Sequence, residues 1–121
     1  MKRYTKDHEW VEIQGDVAVV GISEHAAHEL GDITFIELPE EEADFAKGDV
    51  LCVIESVKAA ADVYAPIAGT VSAIHIELED QPELVNESAE KEGWLCKLTG
   101  FNSDELDALM TPEAYQEFLK G

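Results

Sequence analysis

Short runs in which apolar side chains alternate with polar ones recur along the chain, separated by turn-forming residues. "EWVEI" and "VAVVGI" flank "QGD", whose Gly15 marks a tight hairpin connection. "DITFIEL" ends at Pro39 and the acidic turn "EEEAD", and "VLCVI" follows the turn pair Gly48-Asp49. In "TVSAIHIEL" the residues Ile74, Ile76 and Leu78 share one face, with His75, Glu77 and Glu79 on the other. "WLCKL" after Gly93 is the last strand candidate. Many short strands with regular punctuation predict a sandwich or barrel.

Helical spacing is confined to three places. Ser23 caps "EHAAHEL", with Ala26, Ala27 and Leu30 inward and Gly31 ending it. Asn102 or Ser103 caps "DELDALM", and Thr111 with Pro112 opens "PEAYQEFL", placing Tyr115, Phe118 and Leu119 on one side. The C-terminal helical segment, about 103–119, is expected to pack on the outside of the β body. Residues 55–65 remain open between two readings. Val57, Ala60, Ala61 and Tyr64 fall on one helix face, whereas the β-rich "VLCVI" before them, and Pro66 and Gly69 after, favour a hairpin with Lys58 at its tip.

With 121 residues the chain is expected to form one domain. Its 8 basic against 27 acidic side chains give a formal net charge of −19, which repels phosphate backbones and anionic lipid, so neither nucleic acid nor membrane is an expected partner. No stretch approaches the run of about 18 apolar residues that a membrane span requires, and the N-terminus carries no signal-peptide pattern. Cys52 and Cys96 lie far apart among apolar neighbours, as small buried residues of a reducing compartment do, so a cytoplasmic protein is expected. His25 and His28, flanked by Glu24 and Glu29, lack a third ligand at metal-type spacing and read as helix-surface residues. His8 reads as a structural hydrogen-bonding residue, Trp10 and Trp94 as packing residues. No nucleophile–base set, phosphate loop or dinucleotide fingerprint is present.

The segment "IESVKAAADVYAP" resembles the lipoyl-attachment motif of glycine cleavage system H proteins. "HEWV" at 8–11, "VGIS" at 20–23, "LGDITFIELPE" at 30–40, "PELVN" at 82–86 and "EGWLCKL" at 92–98 resemble that family in the same order. The sequence departs from the common pattern at "SAEKEG" before Trp94, in the turn "EEADFAKGD", and at Ala61, where a serine is usual.

The resemblance implies a mainly β fold. This is a flattened barrel-sandwich hybrid of the lipoyl-domain type, one domain over 1–121, with a short helix in its N-terminal half and helices at its C-terminus. It implies that Lys58 stands at a hairpin turn and carries lipoic acid as an amide. Glu55 and Asp62 flank the turn as recognition residues for a lipoate ligase or a lipoyl/octanoyl transferase. The small Ala59, Ala60 and Ala61 leave the arm unobstructed. The implied role is that of a monomeric, non-catalytic carrier. It takes an aminomethyl group from the pyridoxal-phosphate glycine decarboxylase to the tetrahydrofolate-dependent aminomethyltransferase, and dihydrolipoyl dehydrogenase reoxidises it. By the same resemblance Glu9 and Asp62 line a cleft where the loaded arm parks. Asp7, where a serine is common, is a third candidate. A second expectation is an H-like lipoate-binding protein of sulfur oxidation, in which Lys58 carries a sulfur intermediate.

Overall fold

The computed structural model describes residues 1–121. Nine strands and three α-helices follow one another as β1 (Lys2–Tyr4), β2 (Glu9–Gln14), β3 (Val17–Ile22), α1 (Glu24–Leu30), β4 (Ile33–Glu37), β5 (Asp44–Phe45), β6 (Val50–Ser56), β7 (Ala60–Tyr64), β8 (Gly69–Ile74), α2 (Glu83–Ser88), β9 (Cys96–Thr99) and α3 (Pro112–Lys120). Two 3-10 turns, Ile76–Glu79 and Ser103–Ala108, complete the chain. The strands form two antiparallel sheets, one ordered β1-β2-β3-β9-β8-β5 and one ordered β4-β6-β7. The sheets face each other without closing into a barrel, which is the flattened, mainly β body the sequence predicts. No helix is long and apolar enough to cross a membrane.

Alternation dictates what is buried. Val11, Val20, Val71, Cys96 and Leu98 of the larger sheet meet Leu51, Ala65 and Ile67 in one core cluster. A second cluster packs Ile36, Ile54 and Val63 of the smaller sheet against Ala27 of α1 and Val85 of α2. Trp10 is 1% exposed and lies flat on Gly21, where a Cβ would meet the indole at 2.7 Å, so only glycine fits beneath it. Its Nε1 donates to the Ala89 carbonyl at 3.1 Å, satisfying the one polar atom of the ring.

Several local expectations are corrected. The strand through "TVSAIHIEL" stops at Ile74, where the ladder with β9 ends at the pair Ile74↔Cys96; one further bond, from the His75 N–H to the Leu95 carbonyl at 3.1 Å, follows before the chain turns away. Residues Ile76–Glu79 coil into a 3-10 turn instead, burying Leu78 while Ile76 is 55% exposed, so the two do not share a face. Helix α2 lacks a strong pattern in the sequence. Pro82 precedes it, and only Leu84, Val85 and Ala89 turn inward. "DELDALM" forms the 3-10 turn Ser103–Ala108, with the Asn102 side chain accepting from the Asp104 N–H. The short strands β1 and β5 carry too few residues to show alternation. On α3 the buried residue is Tyr115, while Phe118 is 40% exposed.

Tyr115 anchors α3 to the site region. Its ring stacks on Tyr4 with centroids 4.3 Å apart, and its hydroxyl bonds both Ser23 Oγ and His8 Nδ1 at 2.7 Å. Ser23 Oγ also accepts from the Ala26 N–H and so caps α1. Tyr115→Phe removes the shared hydroxyl and is expected to lower stability by about 1–3 kcal/mol. Urea denaturation should report a lower midpoint at an unchanged slope.

Candidate functional site

Residues 55–65 form a hairpin. Inward-facing Cys52, Ile54 and Val63 join the core across the β6–β7 ladder, and that burial outweighs the helix propensity of three alanines. The tip closes over Val57 and Lys58. The Ser56 N–H donates to the Ala59 carbonyl at 2.8 Å, and Ser56 Oγ accepts from the N–H groups of Lys58 and Ala59, each at 3.2 Å. The Val57 N–H donates to the Asp32 carbonyl at 3.0 Å, fixing the tip to the segment that leaves α1. Lys58 is exposed, and its chain passes over Gly31. A Cβ at Gly31 would lie 3.1 Å from Lys58 Cε, and its φ of 78° with ψ of −153° is a conformation nearly reserved for glycine.

A cavity of about 200 Å³ opens between α1, β7 and the loop before β2, while Gly31 itself lines a separate cavity toward α2. Asp7, Glu9 and Asp62, far apart in sequence, all line it. Asp7 and Asp62 are exposed, whereas Glu9 is 2% exposed. Both Glu9 oxygens are engaged. Oε1 accepts from Thr5 Oγ1 at 2.7 Å and Oε2 from the Tyr64 N–H at 3.0 Å. Burial raises the Glu9 pKa; the bonds from Thr5 and Tyr64 pull it back, and the nearby Asp7 charge adds to the rise.

The loop holding these groups is itself held. His8 adopts a left-handed φ of 70°, its carbonyl accepts from the Ser23 N–H at 2.8 Å, and its ring bonds Tyr115. Burial lowers the His8 pKa, and the neighbouring His25 ring, 4.8 Å away between centroids, lowers it further against Asp7 and Glu29.

Glu29 and His25 also line the cavity, 3.9 Å apart between Oε1 and Nε2, and sequence reasoning missed both as site residues. The signal was present. His25, Ala26, Glu29 and Leu30 share one face of α1 by the i, i+4 rule, while His28 turns to a separate cavity toward α2. Ile22, Ala26, Leu30, Ile54 and Val63 supply an apolar wall. Glu55 is not part of this cavity. It is exposed on the outer face of the smaller sheet, opposite Phe35 and Ala60. A slot lined by both apolar side chains and carboxylates suits a ligand with a hydrocarbon body and a cationic group.

Known proteins share this architecture. The family model described as Glycine cleavage H-protein matches residues 2–121. The glycine cleavage system H protein of Xanthobacter autotrophicus is 54% identical over 97% of this chain and 94% of its own. That of Paramagnetospirillum magneticum is 53% identical over 98% of this chain and 95% of its own. The crystal structure of a glycine cleavage system H protein from Mycobacterium marinum superposes with a TM-score of 0.88 at 28% identity, covering 99% of this chain and 97% of that one.

The raised Glu9 pKa fixes the sign of one linkage. Between the ordinary glutamate value and the elevated one the folded protein binds more protons than the unfolded chain. The contribution therefore favours the fold below that window and is lost as pH rises through it. Denaturation midpoints measured across the window should fall less steeply with pH in Glu9→Gln than in the parent.

Proposed function

This chain belongs to the glycine cleavage H-protein family, and from that membership we propose that its Lys58 carries lipoic acid in amide linkage. When bound, the lipoyl group supplies a dithiolane that takes up the aminomethyl fragment of glycine on one sulfur. The implied partners are glycine decarboxylase, the aminomethyltransferase, dihydrolipoyl dehydrogenase, and a lipoate ligase or lipoyl/octanoyl transferase. The observation that carries this reading is the exposed Lys58 at a closed hairpin tip, with a carboxylate-lined cavity one strand's length away.

The residues present fit such a group. Val57 and Lys58 project from the tip while Ser56 and Asp32 hold its backbone, so a ligase meets the ε-amine without unfolding anything. Glu55 and Asp62 place negative charge on either side of the turn for that enzyme to read. The gap at Gly31 and the small flank of Ala59, Ala60 and Ala61 give a long chain room to lie down. From Lys58 to Asp62 the strand advances about 13 Å. A lysine extended by an eight-carbon acyl chain spans about a dozen bonds of about 1.5 Å, which reaches that far even in projection.

Charge selects what the cavity holds. An amine kept protonated has no lone pair with which to expel the sulfur that carries it. Nearby carboxylates raise the amine's pKa and preserve that charged form. Glu9, shielded from water, acts through a lower effective dielectric than Asp7 and Asp62, whose exposed charges are screened. A neutral sulfur cargo would gain nothing from this set of acids, which weighs against the sulfur-oxidation alternative.

Two measurements test the reading. Intact mass after incubation with lipoate ligase, lipoate and ATP should rise by one lipoyl group, and Lys58→Arg should abolish the gain; an unchanged mass in the parent refutes attachment. Loaded protein carrying Glu9→Gln with Asp62→Asn should release formaldehyde faster than the parent, by about tenfold for each pKa unit the amine loses. Equal rates would remove the carboxylates from the parking role.

A further inference from the structure

Asn86 closes the stretch "PELVN" and is an exposed residue in the middle of the short helix α2. Helix propensity gives no reason for an asparagine there. Its bonds do. Asn86 Oδ1 accepts from the Ile33 N–H at 2.9 Å, and Nδ2 donates to the Gly31 carbonyl at 2.8 Å. One planar amide thus grips the chain on both sides of Asp32. The two partners fix its orientation, since a flipped amide would set donor against donor and acceptor against acceptor.

The gripped segment is the one on which the hairpin tip rests. The Asp32 carbonyl accepts from the Val57 N–H at 3.0 Å, Ile33 pairs with Ser56 at the start of the β4–β6 ladder, and the Lys58 stem lies over Gly31. Gly31, Asp32 and Asn86 also line one cavity, between α1 and α2. Helix α2 is a firm base for the grip. Val85 and Ala89 are buried, and the Ala89 carbonyl holds the Trp10 indole at 3.1 Å. Gly93 packs so closely on the helix that an added Cβ would meet Val85 Cα at 2.8 Å. A line of contacts therefore runs from the larger sheet through α2 and residues 31–33 to the backbone beside Lys58.

We propose that Asn86 is a positioning residue for the modification of Lys58: its side-chain amide holds residues 31–33 in the arrangement that docks the hairpin tip, and so presents the ε-amine to the modifying enzyme at a fixed place. The inference rests on the reading of Lys58 as the attachment site. In that step the neutral ε-amine attacks the activated acyl carbon, the donor's leaving group departs with its electron pair, and the nitrogen gives up one proton as the amide forms. Asn86 touches none of these atoms. It acts through the bond from Val57 to Asp32, keeping the tip in one conformation before the enzyme arrives. Without the grip the tip is docked for only part of the time. The enzyme's apparent affinity then falls with the docked fraction, while the bound step runs as before. The signature is a raised KM at an unchanged kcat.

Lipoylation of the intact chain by lipoate ligase, with lipoate and ATP, tests this when rates are followed by mass over a range of acceptor concentrations. Asn86→Ala should raise the KM for the acceptor by about tenfold and leave kcat within about twofold. Asn86→Asp keeps the shape but sets an oxygen against the Gly31 carbonyl, so it should raise KM as well; it carries the test should the alanine variant fail to fold. Val71→Ala, in the other core cluster, lowers stability without touching the tip and should be modified as the parent is. Amide exchange on the unmodified protein gives a second measure. The Val57 N–H should lose about tenfold protection in Asn86→Ala, while the Leu95 N–H, bonded to the Val20 carbonyl in the larger sheet, keeps its own. Parental KM in the Asn86 variants overturns the proposal. So does an equal rise in KM in Val71→Ala, or unchanged protection at Val57. A parent that gains no lipoyl group refutes the attachment reading and the positioning role together, whereas a parent modified no better than its Asn86 variants refutes the positioning role alone.

Discussion

The Glu9 carboxylate is the clasp on which the site depends. One oxygen holds Thr5 in the loop ahead of β2, the other holds the Tyr64 N–H at the end of β7, and those two segments belong to different sheets. A carboxylate that is 2% exposed is costly to keep charged, and its raised pKa registers that cost. Two charge-assisted bonds offset part of it. What the clasp achieves is geometric. It sets the distance between the loop bearing Asp7 and the strand bearing Asp62, and so the width of the cavity they line.

A second network steadies the first. Tyr115 on α3, Ser23 at the start of α1 and His8 in the loop share one hydroxyl, and Tyr4 stacks beneath it. Glu90 joins from the other side, accepting from the Tyr4 hydroxyl, the Glu24 N–H and Lys2 Nζ. The C-terminal helix therefore reaches the cavity through contacts with the loop, without lining it. Charge is distributed in the same economical way. Lys2 pairs with Glu90, Lys120 with Glu117, and Lys97 lies over the Trp94 ring, whereas Lys58, like Arg3, Lys6, Lys47 and Lys91, enters no ion pair. In a chain of net charge −19, the lysine at the hairpin tip is left available.

The β body was legible in the sequence where β-rich runs of six residues flanked a turn signal, as β2 and β3 flank Gly15, and wherever caps were explicit, as at Ser23 and Thr111. It was illegible where tertiary partners decide. Ile74 to Leu78 alternate well enough for a strand, yet the ladder with β9 ends at Ile74↔Cys96 and, after one bond from His75 to Leu95, the chain coils into a 3-10 turn that buries Leu78. Residues 55–65 satisfy a helix template, and only pairing with β6 resolves them; nothing within the segment could. Family resemblance named Lys58, Glu9, Asp62 and Asp7, while the local sequence around each said little. The cavity gathers Glu9, Asp62 and Asp7 but adds Glu29 and His25, which periodicity on α1 would have grouped had the spacing been read from His25 to Glu29. The unlike exposures of Glu9 and Asp62 were not readable at all, since burial of a carboxylate depends on what folds over it.

The open flank of β7 also bears on how copies of this protein behave toward one another. Unsatisfied main-chain groups on a sheet border invite a neighbouring molecule to add itself, the first step of ordered aggregation. Here the bare stretch is only a few residues long, an anionic side chain stands in its middle at Asp62, and every copy repels every other through a large excess of negative charge. The acidity of this chain thus acts as a gatekeeper, letting a reactive border stay uncovered in a crowded solution.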